Sequence, residues 1–88
     1  VNTNSAALSQ LLSKNYTEAA QTLAQIATPD ATTEYLKAVL AARTGQEATA
    51  IQSLKNAFAK DASLKERAKR DLEFLSLFNN DTFQSIVK

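Results

Sequence analysis

Apolar residues recur along this chain at intervals of three and four, and nowhere in convincing alternation, so the pattern predicts helices and no sheet. Ala7, Leu8, Leu11 and Leu12 mark a first helix opening near Asn4 or Ser5 and broken at Lys14 and Asn15. Ala19, Ala20, Leu23, Ile26 and Ala27 mark a second, with Asn15 as N-cap and Glu18 in capping-box position. Thr28 then caps ahead of Pro29, which suits a first helical position. Leu36, Val39, Leu40 and Ala42 carry a third helix up to Arg43, and Gly45 stands where a left-handed residue ends a helix. Ala50, Ile51, Leu54, Ala57 and Phe58 carry a fourth. After a break at Asp61, Ala62 and Ser63, a second capping box (Ser63 with Glu66) opens a fifth helix. Its stripe is Leu64, Ala68, Leu72 and Leu75, with Phe74 and Phe78 alongside. Asn79, Asn80 and Asp81 stop it, and Phe83, Ile86 and Val87 suggest a short closing helix.

The breaks at Lys14-Asn15, Gly45-Gln46 and Asn79-Asn80 are tight, and short links favour antiparallel neighbours. The expectation is an all-α fold: about six helices in three antiparallel pairs, roughly residues 5–27, 29–60 and 63–87, in one domain spanning 1–88. Tyr35, Phe58, Phe74, Phe78 and Phe83 are the expected aromatic part of the core. Composition agrees. A single Gly and a single Pro leave few helix breakers, and 22% charged residues is ordinary for a folded domain. No apolar run approaches the ~20 residues of a membrane-spanning helix.

Absent residue types narrow the chemistry. There is no His and no Cys, which removes Ser-His-Asp triads, thiolate nucleophiles and the usual zinc ligands. One glycine cannot make a phosphate-cradling loop. What is left for acid–base work is a carboxylate pair, either Asp71 with Glu73 or Glu66 with Asp71. Asp71 and Glu73 are two apart and should diverge on a helix, while Glu66 and Asp71 interleave with Arg67 and Arg70 and read as solvated ion pairs. Asn79-Asn80-Asp81 offers too few oxygens for calcium and reads as a cap. Two N-x-[ST] triplets, at Asn15 and Asn80, also coincide with expected caps. Neither an enzyme nor a cofactor or metal site is implied.

An internal repeat is visible. Ala19 is followed by Leu23 and Ile26, and Ala50 by Leu54 and Ala57, so a small residue precedes apolar residues four and seven positions on. A small side chain there lets two helices approach closely at their crossing. This resembles the second helix of a tetratricopeptide repeat, and Ala38 matches the small residue of that family's first helix. The match is degenerate: positions 19 and 50 repeat at less than the family's roughly 34 residues, Glu34 replaces its early aromatic, and Ala62 its closing proline. The stretch Asp30–Gly45, with Lys60–Lys65, Asp71–Phe74 and Asn4–Leu12, is similar to the C-terminal repeat region of large Bacteroidetes cell-envelope proteins. The resemblance implies a right-handed helical solenoid, a C-terminal fragment of a longer exported protein (the chain starts at Val1, not Met), and the periplasm or outer membrane of a Gram-negative bacterium. The lack of Cys leaves the cytoplasm open.

Charge adds one asymmetry. Net charge is +1, but Lys55, Lys60, Lys65, Arg67, Lys69 and Arg70 outnumber Asp61 and Glu66 between positions 55 and 70. Lys55, Lys60, Arg67 and Arg70 are candidates for a basic patch that would hold an anionic partner. Phe58 is the one aromatic among these cations and is assigned to the core, so nothing recommends a nucleic acid. If the first helices of successive pairs line an inner groove, Tyr35, Lys65 and Lys69 would share it and suit an extended acidic segment. The leading expectation is a non-catalytic protein-interaction or scaffolding module that binds a protein or peptide and adjoins upstream repeats. The alternative is a purely architectural cap of a longer array, marked by exposed apolar surface near Ala6, Leu8 and Leu12.

Overall fold

A computed structural model describes residues 3–88; Val1 and Asn2 lie outside it. The order is α1 (Asn4–Leu12), α2 (Tyr16–Ala24), α3 (Ala31–Arg43), α4 (Glu47–Lys60), α5 (Leu64–Arg70), a 3-10 helix (Leu72–Leu77) and α6 (Asp81–Ile86). There is no strand among the described residues. The fold is all-α, as the spacing predicts.

The first and third links share one backbone solution. After α1 the Lys14 amide donates to the Leu11 carbonyl at 3.0 Å and the Asn15 amide to that of Gln10 at 2.8 Å. After α3 the Gly45 amide donates to Ala42 at 3.3 Å and the Gln46 amide to Ala41 at 2.8 Å. These are two copies of the Schellman turn, which needs a left-handed residue at its tip. Gly45 supplies φ +76° without penalty, whereas Lys14 is held at φ +64° with a Cβ to accommodate. Lys14→Gly should therefore raise stability by about 1 kcal/mol, and Gly45→Lys should lower it comparably, both read from urea unfolding midpoints. Four residues past each turn stand Ala19 and Ala50, both fully buried.

Helix starts depart from expectation in three places. Asn15 makes no side-chain cap bond, so its box with Glu18 does not form. The cap of α3 is Asp30, not Thr28: its carboxylate accepts from the Thr33 amide at 2.8 Å and Pro29 stays outside the helix. Ser63 lies in helical conformation without a cap bond, because Asp61 Oδ1 takes both its amide (3.0 Å) and its hydroxyl (2.6 Å). Asn80, by contrast, caps α6 through the Phe83 amide at 3.0 Å.

Asp30 also joins α3 to α1. Asn4 Nδ2 donates to its carboxylate at 3.1 Å, and the Thr33 hydroxyl lies 2.9 Å from that carboxylate and 2.7 Å from Asn4 Oδ1. These donors, the Thr33 amide foremost, hold the Asp30 pKa below its ordinary 3.8. A depressed carboxylate contributes stability above the unfolded pKa and loses it as pH falls through the folded one. The Asp30 carboxyl should titrate with an NMR midpoint below 3.8, and Asp30→Asn, which keeps a capping oxygen, should flatten the acid limb of the Tm–pH curve.

The largest correction concerns the fifth helix. Asp71 leaves helical conformation (φ −82°, ψ 116°), and its Oδ1 accepts from the Glu73 amide at 3.0 Å, starting the 3-10 turn instead. Phe74 adds a kink at φ −105°. The break rotates the register, so Phe74 and Leu77 are fully buried, while Leu72 and Leu75 are 75% and 62% exposed. The stretch 63–87 is thus three short elements rather than one helix pair. Its 3-10 helix packs on α3 and α6 packs on α4.

α3 sits at the centre, against α1, α2, α4 and the 3-10 helix, and buries residues around most of its circumference. This accounts for Glu34, where the resemblance expects an aromatic: it is buried, ion-paired to Lys37 at 3.3 Å and bonded by Asn56 at 3.2 Å. The aromatic core forms around Phe74, edge-on to Tyr35 (5.5 Å, 80°) and 6.2 Å from Phe83, which meets Phe78 at 5.9 Å.

Candidate functional site

Two adjoining hollows open between α1, α3 and the segment that starts at α5. The first, about 230 Å³, is lined by Asn4, Ser5, Leu8, Thr32, Tyr35, Leu36, Leu64 and Arg67. The second, about 180 Å³, shares Leu8, Tyr35, Leu36 and Arg67 and adds Leu11, Leu12, Val39, Arg43, Asp71 and Glu73. Leu8 and Leu12 are one turn apart on α1, next to the buried Ala7 and Leu11. They remain 44% and 66% exposed.

Polar groups divide the two hollows. Tyr35 is 3% exposed, and its hydroxyl donates to Asp71 Oδ2 at 2.6 Å. Burial first, and then the Asp71 carboxylate, push its pKa well above the ordinary 10, so it stays protonated. Arg43 grips Glu73 with two parallel bonds, Nε to Oε1 at 2.8 Å and Nη2 to Oε2 at 2.5 Å. Its remaining Nη1 donates to the Leu11 carbonyl in the last turn of α1 at 3.0 Å. Arg67 lies over the Tyr35 ring, its guanidinium carbon 4.9 Å from the centroid, with no carboxylate in ion-pair range among the described residues. The second hollow therefore balances two cations with two bonded carboxylates, while in the first Arg67 is the only charge.

The sequence-based candidates fall elsewhere. Tyr35 does line the hollows, but Lys65 and Lys69 do not join it. Both are two residues from Arg67, about 200° around the helix, so the face that meets Tyr35 is Arg67's. Lys65 lies beside Lys55, Phe58, Ala59, Ser85 and Ile86, and donates to the Lys88 carbonyl at 3.3 Å. Lys69 pairs with Glu66 at 3.0 Å, and that cation, with Arg70 further off, lowers the Glu66 pKa. Lys60 is exposed in the last turn of α4, where a cation favours the helix dipole. Of the other basic residues, Lys55 lines the hollow beside Lys65, and Arg67 the one beside Tyr35.

Asp71 and Glu73 reverse an expectation. They face the same hollow because the helix ends between Arg70 and Leu72. Each is already engaged, with Tyr35 and Arg43 respectively, as structural ties. No group of three or more acidic side chains among the described residues could hold a metal ion, and no helix there is long and apolar enough to cross a membrane. Arg67, the charged residue at the centre of the site, was legible only as one cation in a basic run; its partner Tyr35 lies far away in sequence. Compared with protein-family models, curated proteins and solved structures, the chain matches none.

Proposed function

We propose that this chain is a non-catalytic protein-interaction module of a larger, exported protein, built from tetratricopeptide-like antiparallel helix pairs, and that it binds through the hollows between α1, α3 and α5. The observation that carries this reading is the pair Leu8 and Leu12. Both are large apolar side chains left substantially exposed, on a concave surface rather than a convex one. Exposed leucines converging on a polar-rimmed hollow are a common mark of a contact surface.

A second reading has support from the same two residues. If a preceding helix of the parent chain covers them, the segment is an architectural cap of a longer array with no ligand of its own. Photo-crosslinking separates the two. A benzophenone amino acid is placed at Leu8 or Leu12 of the intact parent protein, in the cells that produce it, with Gln52 on the exposed side of α4 as control. Crosslinks from positions 8 and 12 to a different protein, absent from position 52, are expected. Crosslinks confined to the same polypeptide favour the architectural cap, and none beyond the control level overturns both.

A further inference from the structure

We infer that the hollow between α1, α3 and α5 takes a peptide segment that presents one Asp or Glu side chain beside leucine-type residues, with Arg67 holding the carboxylate. This rests on the reading of the chain as an interaction module and names the chemistry of its partner.

The argument starts from what each lining group has left to offer. Leu8, Leu36 and Leu64 form the apolar wall of the first hollow. The Asn4 side chain is spent on Asp30 and Thr33. The hydroxyls of Ser5 and Thr32 have no partner within the described residues and can serve an incoming backbone. Arg67 stands among them as the sole charge. Its guanidinium carbon lies 4.9 Å from the Tyr35 ring centroid with no carboxylate in ion-pair range among the described residues, and a guanidinium edge matches a carboxylate with two parallel bonds.

The neighbouring charges set the direction in which a ligand lies. Asp71 and Glu73 both face the second hollow, so an acidic side chain there would meet a carboxylate. In the first hollow no lining residue is acidic, and the Asp30 carboxylate bonded to Asn4 at its rim is engaged by Thr33 and Asn4. The acid therefore seats at the Ser5–Thr32–Leu64 end. Apolar residues of the same segment extend along Leu8 toward Leu12, where Arg43 is already paired with Glu73. A basic segment is disfavoured, because Arg67 would repel it and both carboxylates are bonded.

The test is an NMR titration of the isotope-labelled 88-residue chain with three synthetic peptides. They share the same leucine positions and differ only in carrying Glu, Gln or Lys at one central site. The Glu peptide should shift the amides of Ser5, Leu8, Thr32, Leu36 and Leu64 and the Arg67 Nε–H signal. It should bind about five- to tenfold more tightly than the Gln peptide at low salt. Arg67→Gln should abolish that difference. Ser5→Asp, on an exposed position of α1 where folding is not at stake, should weaken the Glu peptide and not the Lys peptide. Equal binding of Glu and Gln peptides, or preference for Lys, overturns the acidic partner while leaving the interaction surface standing. No shift with any peptide overturns the inference as a whole, and the crosslinks from positions 8 and 12 then judge the interaction reading separately.

Discussion

Replacing Phe74 with alanine is expected to lower the unfolding free energy by about 3–5 kcal/mol, a large share of the ~4–13 kcal/mol expected of a chain this long. Phe74 is fully buried and touches two other rings, so truncation opens a cavity where α3, the 3-10 helix and α6 meet. The discriminating comparison is with its neighbours. Leu72→Ala and Leu75→Ala should each change stability by less than about 0.5 kcal/mol, since both side chains are mainly in water. A continuous helix would give the opposite ranking, with the Leu72 and Leu75 variants damaged and Phe74 spared. Urea unfolding of the three variants decides between the registers.

The second large effect comes from adding atoms. Ala50→Leu should destabilise by about 1–3 kcal/mol, because Ala50 is fully buried near the start of α4, four residues after the Schellman turn, where α4 runs against α3. Ala48→Leu, two residues earlier and exposed, should stay within about 0.5 kcal/mol. Leucine and alanine differ little in helix propensity, so the contrast isolates space at the helix contact. Ala19→Leu, at the matching place in α2 and also fully buried, should behave like Ala50→Leu.

These two predictions mark where the sequence could and could not be read. The alanines were legible: a small residue recurring at 19 and 50 ahead of apolar residues already implied close helix contact. Gly45 was legible for the same kind of reason, since a left-handed turn favours glycine. Its counterpart Lys14 was visible only as a break, because a lysine carries no signal of positive φ. The register after Arg70 was not legible. Leu64, Ala68, Leu72 and Leu75 make as good a helical stripe as any, and local pattern cannot reveal that Asp71 will spend its carboxylate on Tyr35 and the Glu73 amide. The site was hidden for that reason too. Arg67 and its flanking lysines look equivalent in sequence, and only the position of Tyr35 across the α3–α5 junction distinguishes them. Caps were legible where a short acceptor had a free amide within reach, as at Asn80, and failed where a neighbour competed, as Asp61 does for Ser63.

One arginine has a consequence for how the molecule opens. Arg43 grips Glu73 from the closing third of the chain and the Leu11 carbonyl from the opening third, while itself belonging to α3. Neither the last turn of α1 nor the 3-10 helix can leave α3 without releasing a group on the same side chain. In native-state hydrogen exchange, the last turn of α1 and the 3-10 helix should then belong to one cooperative foldon, though they sit at opposite ends of the sequence. Beside the ties of Asn4 to Asp30 and of Tyr35 to Asp71, the shared guanidinium couples the opening and closing thirds of the chain to each other through one side chain.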